Sequence, residues 1–137
     1  MSRSLFPEVV AMLHKDLDLR FARHALLSAN LANAETPGYI ARDLRFEDAL
    51  RAAVLGQTSA LHRTHPRHLP LAPPPVQEVK GTVVATPSDD VGRDLNTVSV
   101  EREMGRLTVN AFRYGATAEI LSRLLAQLRR VIQEGRI

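Results

Sequence analysis

The feature that most constrains this chain is a ten-position apolar line near its C-terminus. Val100, Met104, Leu107, Ala111, Tyr114, Ala118, Leu121, Leu125, Leu128 and Ile132 recur at spacings of four and three without a break. A four-three repeat holds one stripe on one side of a helix, so it predicts a long helix over about Ser99 to Gln133, coiled-coil-like in its packing. Ser99 is placed to cap it. Glu101 and Glu103 suit the positive end of its dipole, and Arg129 and Arg130 the negative end. Gly105 and Gly115 each weaken a helix by about 1 kcal/mol relative to Ala, and are expected where a neighbouring helix comes close.

A second helix is expected over about Pro7 to Ala34. Pro7 suits a first turn, where its missing N–H costs nothing, and Ser4 precedes it as a cap. Phe6, Val10, Leu13, Leu17, His24, Leu27 and Leu31 follow three-four spacing, interrupted at Arg20, and Val9, Met12, Leu19 and Leu26 form an adjacent line. Two lines imply packing on more than one side. Pro37 disfavours helical geometry at Thr36 and Gly38 permits a turn, so the helix must stop near Glu35.

Between the helices the pattern changes. Seven of the eight prolines fall at 37 or between 66 and 87, including Pro73, Pro74 and Pro75, which excludes regular helix from 66 to 87. Asp43 to Leu55 reads as a short helix or loop turn around Phe46, Ala49, Leu50 and Ala53. Gln77 to Ala85 alternates weakly at Val79, Val83 and Ala85, which suits a short strand or hairpin. The expected organisation is one mainly α structural domain: an N-terminal helix within 1–35, a turn and Pro-rich irregular segment within 36–97, and a C-terminal helix within 98–137. If the two helices pair only with each other, the second N-terminal line stays bare. The free subunit is then marginal, and an obligate partner is expected.

Composition narrows the chemistry. There is no Cys, which removes disulfides and thiolate metal sites, and there is no Trp. The 18 basic and 15 acidic residues balance up to residue 97; the excess lies in 98–137, with seven Arg against four Glu. That is sparser than the basic stripe of a typical nucleic-acid binder. Charges at Glu8, Lys15, Asp16 and Asp18 break the first apolar stretch, so neither a cleaved signal nor a membrane span is expected. His62, His65 and His68 are three apart, but Pro66 lies between them and no carboxylate is near, so no metal site is expected. Asp89, Asp90 and Asp94 lack the order of a calcium loop. No phosphate loop, nucleophile elbow or paired-carboxylate motif is present.

The most specific local signal is Ser28-Ala29-Asn30-Leu31-Ala32-Asn33-Ala34-Glu35-Thr36-Pro37-Gly38-Tyr39. Asn30 and Asn33 share a face, and amides on an Ala-rich helix end fix register more than they add stability. This run, continuing into Ile40-Ala41-Arg42-Asp43, resembles the N-terminal signature of flagellar rod, hook and hook-filament junction proteins. Asn110 to Tyr114, Leu121 to Arg123 and Leu128 to Ile132 are similar to the proximal-rod branch of the flagellar basal-body rod protein family. Glu35 and Ile40 depart from the common pattern. The resemblance implies a structural subunit with no enzyme activity and no cofactor. It implies export through the flagellar type III apparatus without a cleaved signal, and a place in the periplasmic rod of the basal body. Its implied partners are other rod subunits, export-gate and FliE-type adaptor proteins and copies of itself, with no nucleic acid or small-molecule substrate. Asn30, Asn33, Pro37, Gly38, Tyr39 and the ten seam residues would carry assembly. The alternative is a small coiled-coil regulator or chaperone that binds nucleic acid or an acidic partner through the basic C-terminal helix.

Overall fold

The structure is a computed structural model, and it describes residues 5–56, 74–86 and 98–135. Ser4, the histidines at 62, 65 and 68, and Asp89, Asp90 and Asp94 lie outside the described residues. The order of elements is α1 (Leu5–Ala32), β1 (Arg42–Arg45), α2 (Glu47–Leu55), a 3-10 turn (Val76–Glu78), β2 (Thr82–Ala85) and α3 (Val100–Glu134). The architecture is mainly α. The two long helices pack against each other; β1, α2 and the 3-10 turn lie against α1, and β2 lies against β1.

The helix limits follow local chemistry. Ser99 is extended, and its Oγ accepts from the Arg102 N–H at 3.4 Å, which caps α3 as the sequence indicates. α1 ends at Ala32, slightly before the expected limit. Asn33 donates from Nδ2 to the Ala29 carbonyl at 2.8 Å, while Thr36 N–H donates to the Asn33 carbonyl at 2.9 Å, so the chain coils into turns before Pro37. Gly38 has φ +74°, a left-handed geometry that a side chain resists.

The middle segment departs from the sequence expectation in two places. Residues 43–45, expected as helix or loop turn, belong to β1; the helix begins only at Glu47. β1 pairs antiparallel with β2 in the register Arg42 to Ala85 and Leu44 to Val83. The alternation in 77–85 foresaw β2, but β1 is too short to show its own period. Gly81 admits the Leu44 side chain so closely that a Cβ there would lie 2.6 Å from Leu44 Cγ.

The second N-terminal line is not bare. Leu19 packs in a core with Leu44, Phe46, Leu50 and Val79, and Leu26, Ala53 and Val76 close around it. The expectation that this line waits for another molecule is corrected at Leu19 and Leu26, which the chain's own β1, α2 and 3-10 turn cover. α1 is thus packed on two sides, one by α3 and one by the middle segment. A smaller core of Ala34, Ala41 and Val98, with Tyr39 against it, ties the turn to the start of α3.

Candidate assembly interface

Asn30 lies at the end of α1 where the chain turns back, and its side chain is fully buried. Its Nδ2 donates to the Arg42 carbonyl at 2.7 Å and to Glu103 Oε2 at 2.8 Å. Its Oδ1 accepts from the Arg42 N–H at 3.0 Å and from the Tyr39 hydroxyl at 3.2 Å. All four hydrogen-bonding positions of the amide are used. One residue therefore joins α1, the turn, β1 and α3. Asn33 is different. Its side chain stays local, donating to Ala29 and accepting from the Thr36 hydroxyl at 3.4 Å. Pro37 and Gly38 are exposed and shape the turn that brings Tyr39 onto Asn30.

Glu103 is the residue that the sequence reading misplaced. It was expected only to complement the dipole of α3. It is instead fully buried, accepting from Asn30 and from Arg106 Nη1 at 2.8 Å. Two further polar contacts follow along the same helix face. Asn110 Nδ2 donates to the Arg20 carbonyl at 2.9 Å, and Thr117 Oγ1 donates to Asp16 Oδ2 at 2.8 Å. The same Asp16 oxygen accepts from Arg20 Nε at 2.8 Å. Asn110 Oδ1 and Arg20 Nη1 are buried and have no hydrogen-bond partner among the described residues. A repeat of Glu, Asn and Thr at 103, 110 and 117 was visible in the sequence as a polar line beside the apolar one. Its even seven-residue spacing is the signal that could have found it.

The other face of α1 is held by charge. Arg23 makes a two-pronged contact with Asp43, Nε to Oδ1 at 2.7 Å and Nη2 to Oδ2 at 2.6 Å, and its Nη1 reaches Glu47 Oε1 at 2.9 Å. The hydrogen bond to Asp43 raises the Arg23 pKa above its ordinary value, against the opposing effect of burial. The stabilisation from such a raised value is fully present below the unfolded pKa and is lost only as pH rises through the folded one. Across neutral and acidic pH the Arg23 side of this clamp is therefore constant.

The ten-position line of α3 is only partly engaged by α1. Leu107, Ala118 and Leu121 are half-buried. Val100, Met104, Ala111, Tyr114, Leu125, Leu128 and Ile132 are exposed. Near the chain's far end, Phe6, Val10, Leu125 and Leu128 line an open apolar groove. Phe112 points away from α1 and is 78% exposed. A Cβ at Gly105 or Gly115 would meet nothing within 4 Å, so the close approach expected there is not made among the described residues. Among the described residues no three His, Cys, Asp or Glu are grouped to hold a metal ion. Nor is any helix among them long and apolar enough to cross a membrane.

No family model matches the chain. The chain is 35% identical over 126 residues to the flagellar basal body rod protein FlgB of Yersinia ruckeri, covering 87% of this chain and 89% of that protein. It is 33% identical over 126 residues to FlgB of Escherichia coli, covering 87% and 88%. The FlgB of Salmonella typhimurium is 33% identical over 124 residues, again covering 87% and 88%.

Proposed function

The chain belongs to the FlgB family of flagellar basal body rod proteins, and on that premise we propose that it is a proximal-rod subunit that assembles through its terminal helices. One observation carries this reading. After α1 has docked, most of the apolar line of α3 is still exposed, and it is continuous with the groove at the start of α1. A soluble monomer rarely leaves so long a regular apolar stripe uncovered, and a helical assembly covers it with neighbouring helices.

The roles divide along the molecule. Val100, Met104, Ala111, Tyr114, Leu125, Leu128 and Ile132 meet other subunits. Leu107, Ala118 and Leu121 hold α3 to α1 and border that surface. Asn30 sets register inside the subunit; Asn33, Pro37, Gly38 and Tyr39 set the turn. The partners are other rod subunits, copies of this chain, and export-gate and FliE-type adaptor proteins at the rod base. Export by the type III route without a cleaved signal brings the subunit to its periplasmic position. The role is structural, with no catalytic step and no cofactor. Co-sedimentation of the full-length chain with purified basal bodies tests this. The chain is expected in the pellet with the rod. A chain that remains soluble while intact rods sediment without it overturns the proposal.

A further inference from the structure

The contacts around Asn30 continue beyond the two helices. Arg42 pairs with Ala85 across the strands, and the N–H of the next residue, Thr86, donates to the Ala41 carbonyl at 2.8 Å. Thr86 Oγ1 accepts from Arg106 Nη1 at 3.2 Å, and the same nitrogen donates to Glu103 Oε1. Glu103 Oε2 accepts from Asn30, and Asn30 holds both backbone groups of Arg42. The path closes on itself, from Asn30 through Glu103, Arg106, Thr86 and the Ala41–Arg42 backbone to Asn30 again.

We propose that this ring is an interlock, in which the Val100 to Asn110 part of α3 docks on α1 only when β1 and β2 have paired. The reason lies in Glu103. A carboxylate loses its hydration on burial and is tolerated there only with well-placed donors. Each of its donors is oriented by a strand: Asn30 by Arg42 on β1, and Arg106 by Thr86 at the end of β2. With the strands apart, Arg106 loses Thr86 and is free to turn away, Arg42 loses the strand that fixes the backbone groups it presents to Asn30, and the carboxylate resists burial. An apolar contact at the same place would form with or without the strands. The strand pair thereby gates the joining of the terminal helices. This inference goes beyond the rod reading and holds whatever assembly the chain enters.

Hydrogen–deuterium exchange on the full-length chain tests it. Gly81→Val attacks the strand pair from a distance, since the three nearest atoms that a Cβ there would meet all belong to Leu44. Exchange at residues 103–110 is expected to rise by roughly tenfold or more, the scale of a lost charge-assisted hydrogen bond. Thr86→Val, which removes only the hydroxyl acceptor, moves exchange in the same direction by less. In a chain carrying Asn30→Leu with Glu103→Leu, the ring is cut and the contact is apolar. There Gly81→Val is expected to leave exchange at 103–110 unchanged. Equal acceleration in both backgrounds overturns the interlock, and so does no acceleration in the parent. A parent whose 103–110 amides exchange without protection overturns it too, because a closed ring around a buried carboxylate must slow them. Co-sedimentation with basal bodies is scored separately. Its loss with the exchange pattern intact counts against the rod reading alone.

Discussion

At the turn end of the helix pair, Asn30 and Glu103 are fully buried and their contacts reach into β1, β2 and the turn. At the far end, where α1 begins and α3 finishes, the exposed side chains are Leu125, Leu128, Val131 and Ile132, beside an open groove. The two ends use different physics because they answer different problems. A buried polar contact contributes little net stability when made and costs much when mis-set, so it selects one geometry. An apolar surface is non-directional and gains with whatever covers it. The turn end completes itself within the chain; the far end keeps its apolar surface open.

The contrast can be broken at several strengths. Leu121→Asp strikes the far half, where a half-buried seam position borders the exposed line. Loss of motility and of complete basal bodies is expected, and a motile strain with normal basal bodies refutes it. Glu103→Leu strikes the turn end. It leaves Asn30 Nδ2 and Arg106 Nη1 short of an acceptor, with an expected cost of about 3–5 kcal/mol in urea unfolding. Adding Asn30→Leu also strands the backbone groups of Arg42, but the two changes share the Asn30–Glu103 hydrogen bond, so the total is expected to be smaller than the sum of the single losses, a coupling that a double-mutant cycle reads directly. Asn110→Leu provides an internal contrast. Asn110 already carries an unpaired buried oxygen, so replacing it is expected to change stability by no more than about 1 kcal/mol. An effect as large as that of Glu103→Leu would erase the distinction between the ring and the rest of the polar line. Val131→Ser should be the mildest for the subunit. Val131 is 66% exposed, so unfolding is expected to shift by less than about 0.5 kcal/mol, while co-sedimentation with rods weakens. A large loss of subunit stability would place Val131 inside the fold rather than on its outer face.

Much of this was legible beforehand, and the misses share a cause. The long helices, the Ser99 cap and the stop at Pro37 and Gly38 rest on local periodicity and local sterics, which one sequence displays. β1 was not legible because a four-residue strand between a turn and a helix carries no period of its own. The cover over Leu19 and Leu26 was missed for the same reason: its pieces, Leu44, Phe46, Leu50 and Val79, are too short to announce a common surface. Asn30 stands out in the sequence as an amide that needs a specific partner, but the partner is not visible there. Glu103 sits one turn inside a helix among other charges, where a solvated position is the ordinary expectation. The Arg23 to Asp43 clamp was missed because its members lie twenty residues apart with no spacing rule that links them.

The polar groups of α3 that meet α1 lie seven residues apart, at 103, 110 and 117, and each differs from the next. A purely apolar stripe of that period looks the same after a slip of one heptad, about 10.5 Å along the axis. It cannot tell a correct alignment from a displaced one. Here the marks are unlike: a carboxylate against an amide, an amide against a carbonyl, a hydroxyl against a carboxylate. Displacement by one repeat in either direction takes Glu103 away from Asn30 and leaves it only Arg106 of its own helix. The helix pair therefore proofreads its own alignment. How far α3 reaches past the start of α1 is fixed at a single value and, in the assembly proposed above, with it the height at which a neighbour is met.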